Sequence, residues 1–144
     1  MIRYILLSLV IITLAFTDRK IEEKPALIVH VSNIEKVTGN LMVAIFENEA
    51  KFPDADYALQ QIVFPVNGTT TSFKIKDLVV GTSYAIAVYH DKNKNQKLDK
   101  NFLGIPTERY GFSNDARELF GPPSFKSASF VFNTSNIEHR IKIE

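Results

Sequence analysis

The chain contains no cysteine, and this absence excludes several kinds of structure and site. Disulfide bonds, thiolate metal sites and a lipid anchor on cysteine are all impossible. Stability must come from packing, which is usual in exported bacterial proteins and less usual in small secreted animal domains. In other respects the 144 residues are typical of a globular protein, with 45% hydrophobic and 23% charged residues. We expect one compact domain.

The chain also lacks a strong net charge and the usual groups of catalytic residues. Its 17 basic and 16 acidic residues give a formal net charge of +1, so there is no electrostatic footprint for nucleic acid. Three histidines stand apart at positions 30, 90 and 139, and no Gly-x-Ser-x-Gly or His-Glu-x-x-His pattern occurs. We therefore expect neither a nucleic-acid partner nor an enzyme. The least favoured alternative is an enzyme with a site in residues 91–125.

The N-terminal residues have the pattern of an export signal. Arg3 supplies a cation, and the apolar segment from Tyr4 to Phe16 has the length of a signal-peptide core rather than of a bilayer span. We predict a signal peptide over residues 1–15 and a charged linker over residues 16–25. The protein would then reach the periplasm, the cell surface or the medium, with no membrane span after cleavage. The alternatives are an uncleaved anchor or a buried hydrophobic strand.

From residue 26 onward, short apolar runs alternate with turn residues, a pattern typical of an antiparallel β protein. No segment shows sustained helical periodicity. About seven strands are predicted, which suits a single β-sandwich domain over residues 26–144, of the immunoglobulin or transthyretin type. The predicted strands are Ala26–Val31, Leu41–Phe46, Gln61–Val66, Thr70–Ile75, Ser83–His90, Ala128–Phe132 and Ile137–Ile143.

Three local patterns add detail to this scaffold. Every residue of 41–46 is apolar, as expected for a central strand that is covered on both faces. Asn67-Gly68 predicts a type I′ hairpin, because both residues of that turn must tolerate positive φ. Tyr84 resembles the tyrosine corner of Greek-key sandwiches, in which the hydroxyl bonds to nearby backbone. The alternative for Tyr84 is a plain inward-facing aromatic.

A connection of 35 residues, from Asp91 to Phe125, follows the fifth predicted strand. Structureless loops in compact domains rarely exceed about 12 to 15 residues. We therefore expect an ordered flap, with a short helix from Ser113 to Leu119. Its aromatic residues should bury themselves against the sandwich. These aromatics are Phe102, Tyr110, Phe112, Phe120 and Phe125.

Three residues of the flap are candidates for ligand binding, because sandwiches carry function on their loops. Arg109, Tyr110 and Phe112 could present a surface for a glycan, a peptide or another envelope component. The alternative is that the aromatics only close the edge of the core.

The start of the connection has oxygen-bearing side chains at alternate positions, as a hard cation requires of a short loop. Gln96 replaces the usual glycine at position six of such a loop, and Phe102 replaces the bidentate carboxylate at position twelve. One interpretation is a Ca²⁺ site with a Kd of about 10⁻⁴ to 10⁻³ M. The other is a metal-free turn in which asparagines bond to local backbone. The predicted ligands are Asp91, Asn93, Asn95, the carbonyl of Lys97, and Asp99. A remote carboxylate, from Glu108, Asp115 or Glu118, could complete the coordination sphere.

The segment from Tyr89 to Phe125 resembles the signature of a family of bacterial exported domains, domain of unknown function 2141. The resemblance extends from about residue 26 to the last residue and implies an exported β-sandwich, without implying an activity. The family's usual Asn-Gly in the aspartate loop is Asn95-Gln96 here. From the aromatic loop we expect a binding or structural module of the cell envelope, and the alternative is a metal-free structural or assembly domain. The resemblance is carried by Tyr89-His90-Asp91, Asn93, Asn95, Leu98-Asp99, Asn101-Phe102, Gly104-Ile105-Pro106, Tyr110-Gly111-Phe112-Ser113-Asn114 and Gly121-Pro122-Pro123-Ser124-Phe125.

Overall fold

A computed structural model describes residues 24–134 and 138–144. The predicted signal peptide and most of the predicted linker lie outside these residues. Two one-turn 3-10 helices span Ala55–Tyr57 and Ser113–Asp115, and a short helix, α1, spans Phe125–Ala128. The strands are β1 (Leu27–Ser32), β2 (Asn40–Phe46), β3 (Gln60–Pro65), β4 (Thr70–Ile75), β5 (Ser83–Asp91), β6 (Tyr110–Phe112), β7 (Phe130–Val131) and β8 (Glu138–Lys142). In the described part of the chain, no helix is long and apolar enough to cross a bilayer.

The strands form two sheets, which confirms the all-β prediction. One sheet has the order β4-β1-β8, and the other has the order β3-β2-β5-β6 with β7 also paired to β5. Among the described strands, β1 and β8 are the one parallel pair. The prediction of a purely antiparallel sandwich is therefore wrong for this pair. Strand β8 therefore lies beside β1 and runs in the same direction, although the two strands are far apart in the chain.

The main core lies between the two sheets and follows the predicted alternation. In β4, Phe73 and Ile75 are buried while Lys74 faces solvent. In β8, Ile141 is buried between exposed Arg140 and Lys142. The predicted inward residue Ile137 lies outside the described residues. The predicted central strand is also confirmed, because β2 lies between β3 and β5.

Tyr84 forms the predicted tyrosine corner. Its side chain is buried at the start of β5, and its hydroxyl accepts a hydrogen bond from the backbone N–H of Val79 at 3.0 Å. This bond fixes the entry of β5 into the core, so Tyr84 belongs to the scaffold.

The predicted hairpin at Asn67-Gly68 is wrong. β3 pairs with β2 and β4 pairs with β1, so the connection crosses from one sheet to the other. Neither turn residue has positive φ, as a type I′ turn would require. The two strands still meet through their side chains, because the rings of Phe64 and Phe73 stack with centroids 4.0 Å apart.

The two sheets join along one edge, where β6 meets the end of β8. Tyr110 and Glu144 exchange two backbone hydrogen bonds, with N···O distances of 3.1 and 3.0 Å. A Cβ atom on Gly111 would lie 2.7 Å from the carbonyl oxygen of Lys142. Glycine therefore allows the two strands to approach this closely.

Ser113 fills a gap in the five-stranded sheet. β6 pairs with β5 at residues 87–89 and β7 pairs with it at residues 83–84, so Ile86 lacks a strand partner on that side. The Ser113 hydroxyl accepts the N–H of Ile86 at 2.8 Å and donates to the carbonyl oxygen of Ala128. Since Ser113 is fully buried, its side chain replaces the missing sheet bonds.

The long connection is ordered, but only part of its apolar surface is buried. Phe112 and Phe125 pack with Phe52 into a second, smaller core on the outer face of the five-stranded sheet. Phe102 and Phe120 are 95% and 94% exposed. The prediction that the aromatics of the flap bury themselves is therefore wrong for these two residues, and it holds only in part for Tyr110, which is 37% exposed.

The predicted helix from Ser113 to Leu119 is also shorter than expected. It ends after the single turn Ser113–Asp115, because Asn114 has a left-handed backbone with φ of 61°. The helical turn α1 begins later, at Phe125, where the Ser124 side chain accepts the N–H of Ser127 as an N-cap.

Candidate functional site

An open cleft of about 500 Å³ lies on the outer face of the five-stranded sheet. Its floor is low at the centre because Ala44 and Ala87 are direct partners on β2 and β5. The next row across the sheet pairs Met42 with Tyr89, and Tyr89 with Tyr110 of β6. Two small side chains thus lie next to a row that holds two tyrosines, which leaves room for a ligand.

The walls of the cleft come from two loops of opposite charge. The segment before and within the first 3-10 helix contributes Asp54 and Asp56, both exposed. The loop that follows β5 contributes Lys97 and Lys100, which are also exposed. A ligand in the cleft would therefore meet hydrogen-bond acceptors on one side and donors on the other.

Tyr89 lies at the junction between the floor and the loop after β5. Burial, together with the charges of Asp91, Glu108 and Asp99, raises the pKa of Tyr89 to about 12. The phenol therefore keeps its proton at neutral pH and can donate a hydrogen bond.

The structure brings together two of the three predicted ligand-binding residues. Tyr110 and Phe112 both line the cleft, with ring centroids 6.0 Å apart in an edge-to-face arrangement. Phe112 is only 7% exposed, whereas Tyr110 is 37% exposed. The packing role therefore accounts for Phe112, and Tyr110 presents a ring to solvent.

Arg109 lies away from the cleft. Its guanidinium donates to the carbonyl oxygen of Asn33 at 3.0 Å and lies 3.7 Å from the carboxylate of Glu35. Arg109 directly precedes Tyr110, and successive residues of an extended chain point to opposite faces of a sheet. The side chain of Arg109 therefore points away from the cleft. Arg109 ties the start of β6 to the loop after β1.

Sequence reasoning missed most of the cleft floor. In β5, small or amphipathic residues at 85, 87 and 89 alternate with the core residues Tyr84, Ile86 and Val88. This alternation, with large residues on the core face of β5 and small ones on its outer face, predicts a shallow outer surface. The pairing of Ala87 with Ala44 depends on strand register, which the sequence did not show.

The predicted metal loop is closed around Asp91. This residue is fully buried, and its two carboxylate oxygens accept the backbone N–H groups of Asn95 at 3.1 Å and Gln96 at 2.9 Å. Gln96 has φ of 60°, the left-handed conformation for which a calcium loop normally uses glycine at position six. The backbone therefore follows the expected path without the expected glycine.

Two further carboxylates complete the acidic side of the loop. Asp99 accepts the side-chain amide groups of Asn93 at 2.7 Å and Asn95 at 2.9 Å. Glu108 is 6% exposed and accepts the backbone N–H groups of Lys92 at 2.8 Å and Asp99 at 3.2 Å. Glu108 is thus the remote carboxylate that reaches the loop.

The other two remote carboxylates lie elsewhere. Asp115 and Glu118 line a neighbouring cavity of about 290 Å³ beside the end of β8, which shares the β6 residues Tyr110, Gly111 and Phe112 with the cleft. Asp115 accepts the backbone N–H of Lys142 at 2.8 Å.

The loop also contains the turn expected for the metal-free alternative. The side-chain oxygen of Asn93 accepts the N–H of Asn95 at 3.0 Å, and that of Asn95 accepts the N–H of Lys97 at 2.8 Å. Across residues 24–134 and 138–144, no group of three or more acidic, histidine or cysteine side chains is placed to hold a metal ion. As described, the loop is an asparagine-rich turn with its carboxylates bonded to N–H groups.

The three histidines occupy different parts of the fold and make separate contacts. His30 contacts the Ser72 hydroxyl and His90 contacts the carbonyl oxygen of Thr38, each at 2.7 Å. His139 accepts the backbone N–H of Asn114 at 3.0 Å, and burial lowers the pKa of this imidazole. Each imidazole has a local partner, and the three do not form one site.

Comparison with known proteins identifies one family. No curated protein and no solved structure matches the chain. The sequence profile of a family described as an uncharacterized protein conserved in bacteria matches residues 29–140, which include the cleft and the Asp91–Asp99 loop. This match covers well over half of the chain and agrees with the resemblance of the segment from Tyr89 to Phe125. The chain therefore belongs to the DUF2141 family.

Proposed function

We propose that this chain is an exported, non-catalytic module of the bacterial envelope that binds a glycan in the cleft on β2, β5 and β6. The observation that carries the proposal is the paired alanines, Ala44 and Ala87, next to the row that holds Tyr89 and Tyr110. The N-terminal export pattern supports the location. The tyrosine corner at Tyr84 supports a sandwich of the immunoglobulin or transthyretin type.

The chemistry of the cleft favours a sugar over an extended peptide. Peptides that bind sheet proteins commonly add to a free strand edge, whereas this cleft lies over the face of a sheet. A sugar ring can pack its C–H surface on the exposed ring of Tyr110. Its hydroxyl groups would meet the acidic wall at Asp54 and Asp56 and the ammonium groups of Lys97 and Lys100.

Replacing Ala87 with leucine tests this proposal. The larger side chain would occupy the centre of the open cleft, so we expect binding of soluble envelope glycan fragments to weaken at least tenfold, about 1.4 kcal/mol. Because Ala87 also packs against the smaller core beside Phe112, thermal unfolding must show that the variant stays folded at the temperature of the binding measurement. Isothermal titration calorimetry would measure the affinity.

The matched control is Ala50→Leu, an equal change at an exposed position outside the cleft. Its glycan affinity should equal that of the wild type. Wild-type protein that binds no envelope glycan, or an Ala87→Leu variant that binds as tightly as the control, would contradict the proposal.

We also propose that the Asp91–Asp99 loop binds Ca²⁺ weakly and so stiffens one wall of the cleft. The left-handed Gln96 and the arrival of Glu108 favour this second candidate. Asp91, Asp99 and Glu108 all offer carboxylate oxygens, which are the ligands that a hard cation prefers. Binding requires Asp99 to exchange the two asparagine N–H groups for the ion.

Calcium is expected to raise the free energy of unfolding by about 1.4 kcal/mol when its concentration is about ten times the Kd. Thermal unfolding of chelator-treated protein, with and without calcium, measures this change. Asp99→Asn should abolish it, whereas Asp77→Asn, at an exposed position in another loop, should leave it intact. An unchanged melting temperature at about 10 mM Ca²⁺ would leave the loop as a purely structural turn.

A further inference from the structure

Residues 101–105 form a rigid turn at the far end of the loop that walls the cleft, and we call it the apolar turn. The side-chain oxygen of Asn101 accepts the N–H groups of Leu103 at 2.9 Å and Ile105 at 3.0 Å. The backbone of Asn101 also exchanges hydrogen bonds with Gly104 and Ile105, both at 2.9 Å. The turn is thus held by its own hydrogen bonds.

The apolar turn displays its hydrophobic side chains to solvent. Phe102 is 95% exposed, Leu103 is 67% exposed and Ile105 is 55% exposed. A contiguous exposed apolar patch is a common mark of an interaction site. Because its apolar side chains are exposed, the turn is suited to inserting into a partner rather than to enclosing a ligand.

The surface next to the apolar turn is positively charged. Lys94, Lys97 and Lys100 are exposed, whereas the carboxylates of Asp91 and Glu108 are buried. Asp99 is half-buried and accepts two amide groups. The charge that this loop presents to solvent is therefore that of its lysines.

We propose that the apolar turn inserts into the interface of an anionic lipid bilayer, with the three lysines lying among the headgroups. Apolar side chains beside a cluster of cations are the combination that interfacial membrane binding uses. A second copy of the chain would be the other occupant, and it would insert the turn into its cleft without any need for lipid.

The chain contains its own comparison site at Leu119 and Phe120. Both side chains are 94% exposed, almost the same as the 95% of Phe102. Their neighbours are different, because Glu118 is acidic and Arg117 forms an ion pair with Glu144. If exposure alone drove insertion, both sites would enter the bilayer. If the lysines matter as well, the apolar turn alone would enter.

The absence of cysteine allows a direct test. Phe102→Cys and Phe120→Cys in the full chain would each carry one environment-sensitive nitrobenzoxadiazole label. With phosphatidylglycerol vesicles, the label at 102 should shift to the blue and brighten several-fold, and the label at 120 should stay in water. Raising the salt from about 0.1 to about 1 M should reverse much of the effect. Each label reports the polarity around its own position, so protein held on the vesicles through another segment would leave the label at 102 in water.

Two further measurements test the assignment to lipid. Replacing Lys94, Lys97 and Lys100 with glutamine in the chain labelled at 102 should weaken partitioning roughly a hundredfold, about fivefold for each lysine. Equal responses at 102 and 120, or a label at 102 that stays in water in the presence of the vesicles, would overturn the proposal. A blue shift that depends on protein concentration without vesicles would also overturn it, because the occupant would then be a second copy.

Discussion

Gly39→Ala is expected to destabilise the domain by about 3 kcal/mol or more. Gly39 has φ of 75°, where a side chain is strained, and an added Cβ would overlap the carbonyl oxygen of Asp91. The same Cβ would lie 2.8 Å from the Cα atom of Lys92. Both neighbours are backbone atoms at the end of β5, so they cannot move aside cheaply. Urea-induced unfolding would measure the loss.

Gly81→Ala provides the control for this prediction. Gly81 has φ of 88°, but a Cβ there would have no neighbour within 4 Å. Only the backbone strain applies, so its cost should be about 1 to 2 kcal/mol. Equal losses for the two variants would show that the contact with Asp91 is unimportant. A larger loss at Gly39 would show that the approach of this turn to β5 fixes the start of the Asp91–Asp99 loop.

The strands were predictable where one side of a strand faces the core and the other faces water. Strand β4 has its predicted bounds, Thr70–Ile75, because its alternating exposed and buried residues allow only one face to be buried. The partner of a strand was harder to predict. Asn67-Gly68 indicates a change of direction, but alternating strands on either side of it fit one sheet or two. Strand β6 has only three residues, too few to show a period of two.

The candidate site was predictable in its loop and not in its floor. Side chains at alternate positions from Asp91 to Asp99 follow one another in the chain, so their convergence could be expected from spacing alone. The meeting of Ala44 with Ala87 joins residues that are far apart in sequence, and it depends on the register of two strands. A shift of one residue would place the core face of β2 beside the outer face of β5.

Ser113→Ala should destabilise the domain by about 2 to 6 kcal/mol, a large effect for the loss of one oxygen atom. The substitution leaves two buried groups without partners, the N–H of Ile86 and the carbonyl oxygen of Ala128. Each unsatisfied buried group costs about 1 to 3 kcal/mol. Water cannot easily replace the hydroxyl, because residue 113 is fully buried. Chemical denaturation would measure the change in the free energy of unfolding.

Ser83→Ala is the matched control, since Ser83 lies on the same strand with its side chain exposed. Its cost should stay within about 0.5 kcal/mol. Hydrogen exchange adds a local measurement, because the amide of Ile86 should lose protection in the Ser113 variant more than its neighbours in β5 do. If the two serine variants were equally stable, the gap between β6 and β7 would be closed by packing alone. If Ser113→Ala is the less stable, a single hydroxyl joins the flap, β5 and the end of α1, and this junction supports the cleft wall that Phe112 lines.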